Sequence, residues 1–197
     1  MTILFLTGCT KENESDTQEN SFSEETLLGT WTWQTALVTD PTNQQQGRLT
    51  TGEENCFEYD VKETFGCSDT QSNIVEECRI LTLFNITFEA TKIYDRNENY
   101  NETNIEINRS NNCETITHQN EPSDSFYSGA WEIEGETIFL NETYRKSESL
   151  RFGEERVLES YDESLFSWKV LSFSNEEMII FWRTPDQIDY EITFIKS

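Results

Sequence analysis

Positive charge is scarce in this sequence, and that scarcity excludes several classes of function. The 197 residues include 14 Lys and Arg against 38 Asp and Glu, which gives a formal net charge of −24 at pH 7. A protein that binds nucleic acid needs a basic surface to contact phosphates, and binding to anionic lipid through charge needs one as well. We therefore exclude nucleic acid as a partner. The acidic surface is typical of a highly soluble extracellular protein, or of one that attracts cations and basic partners.

Residues that carry common catalytic chemistry are also scarce. His118 is the single histidine and is predicted to be a solvated residue in a polar stretch, and neither a Gly-x-Ser-x-Gly motif nor a Gly-rich phosphate loop occurs. Acidic doublets such as Glu154-Glu155 place their carboxylates on opposite faces of a strand, so they are not catalytic pairs. We expect no enzyme activity and no cofactor. An acid/base hydrolase is a third hypothesis that rests on abundant carboxylates alone.

Long apolar runs are lacking too, since no segment approaches the roughly 20 apolar residues of a membrane-spanning helix. The chain begins with a short apolar segment that ends in LTGC at residues 6–9. This ending resembles the bacterial lipobox, in which small side chains let a peptidase reach the bond and the cysteine thiol is acylated. By this resemblance Cys9 is the lipid-attachment residue and residues 1–8 are a truncated signal peptide. No Lys or Arg precedes the apolar segment, so we expect the true start to lie upstream of Met1.

The residues after Cys9 predict how the protein is displayed. Residues 9–26 have almost no apolar side chain and are predicted to form a flexible acidic tether. Lys11, Glu12 and Glu14 follow the cysteine in an arrangement similar to the acidic export signal of surface lipoproteins in Bacteroidetes-type bacteria. We therefore expect a protein that is anchored to the outer membrane by its N-terminal lipid and exposed on the cell surface.

The rest of the chain, residues 27–197, alternates between apolar and polar side chains as β-strands do. Trp31 and Trp33 share one face of the first strand, and Glu134-Gly135 is predicted to be the turn of a tight hairpin. No window of useful length has a helical period. The predicted strands contain, in order, LLGTWTWQTALV, FNITF, WEIEGETIFL, LFSWKVLSF, MIIFW and DYEITFIK. Short strands joined in sequence by hairpins predict an antiparallel barrel or sandwich.

Residues 40–78 interrupt this pattern and are predicted to form a long polar insertion after the first strand. With the acylated cysteine set aside, four cysteines are left, an even number that suits two disulfides in an exported protein. Their wide spacing, without a Cys-x-x-Cys pair, argues against a zinc site. Three pairings are possible. We favour a Cys56–Cys67 bridge within the insertion and a Cys78–Cys113 bridge to a later strand.

One stretch has the oxygen spacing of a calcium-binding loop, although we predict no metal site. DRNENYNETNIE places Asp95, Asn97, Asn99 and Glu106 at positions 1, 3, 5 and 12 of such a loop. Tyr100, however, occupies the position at which the sharp turn needs Gly, and the flanking residues are predicted to be strands. A polar hairpin loop is therefore the interpretation that we favour.

Gly29-Thr30-Trp31 resembles the Gly-x-Trp signature at the first strand of lipocalin-like barrels. ITFEATKIYD, YSGAWEIEGETIFL and FSWKVLSFSNEEMIIFW are similar, in this order, to strand and hairpin motifs of the lipocalin-like lipoproteins of Bacteroidetes-type bacteria. The resemblance covers residues 27–39 and 79–197. It implies an all-β fold, an antiparallel up-and-down barrel of about eight strands, with a long disulfide-stapled insertion after the first strand. It also implies that Gly29 and Trp31 close one end of the barrel.

These expectations lead to two functional hypotheses. The first is a non-enzymatic, monomeric, lipid-anchored envelope protein that binds a small apolar ligand or an envelope component. An open apolar cavity would favour it, whereas a barrel filled by Trp and Phe would favour a protein-interaction module. The second is a surface adhesin or inhibitor that acts on a basic partner through the acidic insertion, residues 40–78. The sequence assigns no ligand-binding residue to either hypothesis.

Overall fold

A computed structural model describes residues 22–40, 45–60, 74–108, 114–185 and 187–197. The predicted signal peptide, Cys9, Cys67 and Cys113 lie outside these ranges. Nothing helical in the described ranges is long and apolar enough to cross a membrane. The elements in these ranges are α1 (Glu24–Leu27), β1 (Gly29–Asp40), β2 (Gln45–Thr50), β3 (Glu54–Asp60), β4 (Ile74–Phe88), β5 (Ile93–Asn108), β6 (Glu114–Glu134), β7 (Thr137–Arg151), β8 (Glu154–Ser160), β9 (Ser164–Phe173), β10 (Glu177–Arg183) and β11 (Asp189–Lys196).

Eight of the strands form a closed antiparallel barrel, which confirms the predicted fold class. They follow the order β1-β11-β10-β9-β7-β6-β5-β4, and β4 pairs back onto β1 to close the sheet. The closing contact joins residues 29–32 of β1 with residues 85–88 of β4. The other three strands extend the sheet beyond the eight strands of the barrel. β2 pairs with β1, β3 with β4 and β8 with β7.

Side chains that alternate between the two faces of the strands fill the barrel interior, and register shifts, such as the one between Trp33 and Thr35 of β1, interrupt the alternation. In β9, Trp168 and Val170 are buried, whereas Lys169 between them is exposed. A slip of one residue would turn Trp168 out to solvent and forfeit roughly 1.5–3 kcal/mol of apolar burial, so the buried face holds the register of each strand. The predicted hairpin WEIEGETIFL is confirmed as the junction of β6 and β7. Its turn consists of Gly135 and Glu136, one residue later than expected.

One end of the barrel is closed by α1 and the side chains beneath it. Trp31 is fully buried, and its indole N–H donates a hydrogen bond to the Leu27 carbonyl at 2.7 Å. The Lys196 ammonium donates to the Thr26 carbonyl at 2.9 Å and lies 5.1 Å from the centroid of the Trp31 ring. Gly29 leads the chain from α1 into β1 with a φ of +114°, which L side chains rarely adopt. We call this the closed end and the opposite end the mouth.

The single turn of α1 is not revealed by the sequence pattern. Ser23 begins it through a capping box: the Thr26 hydroxyl accepts a hydrogen bond from the Ser23 amide at 2.9 Å, and the Ser23 hydroxyl accepts one from the Thr26 amide at 3.4 Å. Phe22 packs edge-on against Phe173, with 5.2 Å between the ring centroids. Residues 22–26, predicted as the end of the tether, are therefore packed onto the closed end.

The insertion predicted at residues 40–78 is not a structureless loop. Its described part contains β2 and β3, and β4 already begins at Ile74. Beyond the residues that pair with each other, β1 and β4 separate, and we call this gap the first split. Here β1 pairs with β2, and β4 pairs with β3. The turn between β2 and β3 bridges this first split, and the Gly52 amide donates to the Leu81 carbonyl at 2.8 Å. β2 could not be predicted from its sequence, QQGRLT, because apolar and polar side chains do not alternate along it.

The favoured disulfide pairing is wrong at both described cysteines. Cys56 of β3 lies directly opposite Cys78 of β4, and the two form a disulfide with their Cα atoms 4.0 Å apart. A Cys56–Cys67 bridge and a Cys78–Cys113 bridge are therefore both excluded. The physical reason is the antiparallel register of β3 and β4, which brings together two residues that are distant along the chain.

A second split lies between β9 and β10. Residues 169–173 of β9 pair with residues 178–181 of β10. Towards the mouth, β9 continues to Ser164 along β7, and β10 continues to Arg183 along β11. The two strands share no ladder pairs over this stretch, and the described residues place no inserted strand there. The barrel wall is thus open between β9 and β10 next to the mouth.

A non-reduced proteolytic digest should contain a peptide pair linked through Cys56 and Cys78. Replacing both cysteines by serine should lower the free energy of unfolding by about 3 kcal/mol, because the bridge joins residues with a sequence separation of 22. Chemical denaturation of the oxidised parent and the double variant measures this difference. A peptide pair linked through Cys56 and Cys67 would contradict the register of β3 and β4.

Candidate functional site

Within the part of the chain that the structure describes, two cavities lie in the half of the barrel near the mouth, in contrast to the packed closed end. The larger one, which we call the cleft, has a volume of about 840 Å³ and lies at the open split between β9 and β10. Its walls bring together side chains from the barrel interior and from both edges of the split. Those that matter below are Arg96, Glu142, Arg145, Phe166, Lys169 and Trp182.

The smaller cavity, the inner pocket, has a volume of about 280 Å³ and lies beside the split that the turn of β2 and β3 bridges. Leu49 of β2 forms part of its wall, so the predicted insertion contributes to a cavity. Trp182 of β10 lines both the inner pocket and the cleft. The other side chains of interest in the inner pocket are Trp33, Phe84, Glu98 and Tyr100. Cavities of several hundred Å³ are the usual size of small-molecule sites.

Arg96, Glu98 and Glu142 form a charged cluster that borders both cavities, and we call it the charged trio. Arg96 and Glu98 are two residues apart on β5, so both side chains point into the barrel, and Glu142 reaches them from β7. Arg96 Nε lies 3.1 Å from Glu98 Oε1, and Arg96 Nη2 lies 3.2 Å from Glu142 Oε2. Each of the three side chains is 11–14% exposed. Arg96 also stacks on Tyr127, with 3.9 Å from Cζ to the ring centroid.

The charged trio places fixed polar groups in otherwise aromatic surroundings. Burial raises the pKa of Glu142, and the neighbouring Arg96 limits that rise. Tyr100 donates its hydroxyl hydrogen to Glu98 Oε2 at 3.3 Å. Burial and then the Glu98 charge raise the pKa of Tyr100, so its hydroxyl keeps its proton and stays a donor. Arg96 donates a hydrogen bond to Glu142 at 3.2 Å, whereas its Nε has no hydrogen-bond acceptor among the described residues, so its contact with Glu98 is an ion pair alone.

Aromatic rings supply much of the wall area of both cavities. The Trp182 ring lies 5.5 Å from the Tyr190 ring and 6.3 Å from the Phe166 ring, measured between centroids. Trp33 lines the inner pocket, and its buried indole N–H has no acceptor within the described part of the chain. A buried unpaired donor costs about 1–3 kcal/mol, so an acceptor brought by water or by a ligand would stabilise the pocket. Broad rings of this kind bind the apolar body of a ligand.

A further buried carboxylate, Glu121, borders neither cavity and has a structural role. It is 2% exposed and accepts hydrogen bonds from the Asn104 side-chain amide and the Gly153 backbone amide, both at 2.7 Å. Burial by itself would raise the pKa of Glu121, but these donors and the nearby His118 hold it below its ordinary value. His118, predicted to be solvated, is partly buried and packs against Phe152. Glu121 therefore ties the turn after β7 to β5 and β6.

The calcium-loop candidate is wrong, because its residues lie along one extended strand. Asp95, Asn97, Asn99 and Glu106 all belong to β5, which pairs with β4 on one side and β6 on the other. A strand rises about 3.3 Å per residue, so the first and last of these residues cannot bind the same ion. The interpretation as a hairpin loop is wrong for the same reason. The backbone of each of these residues pairs with a neighbouring strand instead.

Metal binding finds little support elsewhere in the described residues. One group there has ligand atoms close enough to hold a metal ion, namely Glu54, Cys56 and Cys78, within 4.8 Å of one another. The two sulfurs are joined in the disulfide, so neither is a thiolate that could bind a metal. Gly29 and Trp31 lie at the closed end and line neither cavity. The side chains of residues 57–77 lie outside the description, so binding through the acidic insertion stays a prediction.

The charged trio was not identified from the sequence, although the spacing of Arg96 and Glu98 is visible there. Arg96 and Glu98 alternate with Asp95 and Asn97 along β5, and that alternation marks two charged residues on one face of a strand. The sequence does not indicate that this face is the inner one. It also does not indicate that Glu142 lies beside it, because β5 and β7 are not neighbours in the sheet.

Comparisons with known proteins do not assign the site. The scan against protein-family models found no match, and the search of curated proteins found none either. The barrel is therefore established by the structure, whereas the resemblance to lipocalin-like lipoproteins stays a prediction. A function has to be inferred from the two cavities themselves.

Replacing Arg96 by Met should destabilise the protein by about 3–5 kcal/mol near neutral pH, because it leaves Glu98 and Glu142 as buried unpaired charges. The loss should shrink as the pH falls, since protonation removes both charges and burial already raises the pKa of Glu142. Denaturant titrations at several pH values measure it. Arg48→Met on exposed β2 is the control, and an equal, pH-independent loss in both variants would contradict the role of the trio.

Proposed function

We propose that this protein is a non-enzymatic binding protein that holds a small, largely apolar molecule in the half of the barrel near the mouth. The observation that carries the proposal is the contrast between the two ends. The closed end is filled by Trp31 and its neighbours, whereas the other end has the cleft and the inner pocket. An eight-stranded barrel is just wide enough to hold one molecule of this kind.

The composition of the two cavities supports binding over catalysis. Small-molecule sites usually combine apolar walls with a few fixed polar groups, as Trp182, Phe166 and the charged trio do here. Both carboxylates of the trio lie within 3.2 Å of an Arg96 nitrogen, so neither is placed as a free acid or base. The split between β9 and β10 offers a path into the barrel that needs no rearrangement of the closed end.

We also propose that the protein is anchored in the outer membrane through an acylated Cys9 and acts there as a monomer. The tether would reach the barrel at α1, which lies at the closed end. Residues 10–21, between Cys9 and Phe22, span at most about 40 Å when fully extended. Such an anchor would hold the closed end towards the membrane and leave the mouth and the cleft facing away from it.

The purified protein should bind N-phenyl-1-naphthylamine, a neutral aromatic probe whose fluorescence rises in apolar surroundings. Trp182→Ala should weaken this binding by about tenfold, because it removes the wall that both cavities share. Tyr161→Ala should leave it unchanged, since Tyr161 is 73% exposed and borders neither cavity. Fluorescence titration gives the affinities, and melting curves show whether each variant is folded.

A second variant guards against unfolding of Trp182→Ala. Ser164→Trp puts a bulky ring at the exposed rim of the cleft and should also weaken binding, with little effect on the core. Unchanged affinity for the probe in both folded variants would show that neither cavity is the binding site.

Expressed behind a complete lipoprotein leader in a bacterium with two membranes, the protein should incorporate labelled palmitate and sediment with outer membranes. Cys9→Ala should abolish the label, because the thiol is the acylation nucleophile. Cys56→Ser is the control and should keep the label, since Cys56 lies in the barrel sheet. Equal labelling of the two variants would refute the anchor and leave the proposed binding site untouched.

A further inference from the structure

The charge of the cleft is opposite to that of the chain as a whole. Among the described residues, four basic side chains line it, together with one carboxylate, that of Glu142. The complete chain has 14 basic and 38 acidic residues. The cleft is lined by four of the 14 basic residues, so it is richer in positive charge than the rest of the surface. The four are Arg96, Arg145, Lys169 and Arg183.

Two of these basic residues are already neutralised, and two are available. Arg96 belongs to the charged trio, and Arg183 makes two hydrogen bonds to the Asp189 carboxylate, at 2.5 and 2.8 Å. Arg145 and Lys169 have no carboxylate within 4 Å among the described residues, and both are exposed. The Arg145 guanidinium lies 5.4 Å from the Tyr127 ring, which helps to hold it inside the cleft. Arg145 is near enough to the Glu142 carboxyl to lower its pKa, although the two groups form no ion pair within 4 Å. A ligand anion would thus find two cations there that are not bound in an ion pair.

Apolar surface adjoins these cations on the same cavity. Phe166 and Trp182 stand on the two sides of the split, one on β9 and one on β10. Leu165 at the rim is 75% exposed and adds to the apolar surface of the cleft. Lys169 and Phe181 form the last ladder pair before the strands part, so Lys169 lies at the base of the split. A ligand with an apolar body and one anionic group would match both surfaces at once.

The overall charge of −24 repels an anionic ligand, and dissolved salt shortens the range of this repulsion. At about 0.15 M ionic strength the Debye length is about 8 Å, so exposed carboxylates farther away are largely screened. A ligand anion that contacts Arg145 and Lys169 directly lies closer to them than the Debye length, so salt weakens this attraction less than it weakens the repulsion from distant carboxylates. Local attraction therefore outweighs the distant repulsion at physiological salt, whereas low salt slows the approach of an anion.

We propose that the cleft recognises an amphipathic organic anion, which enters through the split between β9 and β10. Its carboxylate, sulfonate or phosphate group lies against Arg145 and Lys169, and its apolar body packs on Phe166 and Trp182. This inference rests on the proposed binding function and names the class of ligand. Because the anion meets unpaired cations, neither Arg96 nor Arg183 has to give up its carboxylate partners.

Two probes with the same aromatic body test the charge requirement. At 0.15 M salt, 8-anilinonaphthalene-1-sulfonate carries one negative charge, whereas N-phenyl-1-naphthylamine is neutral. Arg145→Gln and Lys169→Gln should each weaken binding of the sulfonate by about two- to fivefold, and the double variant by about tenfold. Binding of the neutral probe should weaken less than binding of the sulfonate in these variants, because the neutral probe places no anion against the two cations. Arg48→Gln on β2, outside the cleft, is the matched control for both probes.

The two probes also separate this inference from the function on which it rests. If the neutral probe binds and depends on Trp182, but the sulfonate is insensitive to the Arg145 and Lys169 substitutions, the anion site is overturned and the binding function stands. If neither probe binds the folded protein, both fail. Both variants change exposed side chains, and melting curves confirm that they are folded.

Competition then identifies the source of the anionic group. Dodecanoate and a lysophospholipid with an anionic headgroup should be tested for displacement of the sulfonate probe, with dodecyltrimethylammonium as the cationic control. Displacement by dodecanoate assigns the site to free carboxylates, and displacement by the lysophospholipid alone assigns it to lipid headgroups. Displacement by the cation as strong as by either anion would overturn the proposal, because it would show that the alkyl chain alone is recognised.

Discussion

The ladder between β1 and β4 closes the sheet, and the rest of the structure depends on this short contact. Residues 29–32 and 85–88 provide it at one end of the two strands. There the strands are held around the buried Trp31, and α1 lies over that ring through the hydrogen bond to the Leu27 carbonyl. Since large rings fill the barrel where it is most tightly closed, space for a ligand has to lie towards the mouth.

Towards the mouth the barrel wall parts twice, and the two splits have different consequences. The turn of β2 and β3 bridges the first split, where the Cys56–Cys78 disulfide joins β3 to β4 and the inner pocket lies alongside. The split between β9 and β10 is uncovered and becomes the cleft. Arg96 lies inside the barrel near the mouth. Its ion pairs with Glu98 and Glu142 compensate for the hydration that its guanidinium loses there.

Strands whose inner face is apolar could be predicted, and strands without such a face could not. The pattern around Trp168 and Val170 identifies β9, because burial alternates with a period of two. β2 has no such period and escapes detection. The same alternation along β5 was open to a wrong interpretation, in which Asp95 and Asn97 bind calcium. A charged residue buried through pairing with another strand, such as Arg96, looks in the sequence like an exposed one.

The sequence by itself determined an antiparallel all-β fold, several strands with an apolar buried face, such as β9, and the β6–β7 hairpin, because these follow from the alternation of neighbouring side chains. It also determined the acidic surface against which the basic cleft stands out. Only the tertiary structure decided that Cys56 meets Cys78, that Glu142 joins Arg96, and that the wall opens between β9 and β10. Each of these depends on register between residues that are distant along the chain, and no local pattern encodes that register.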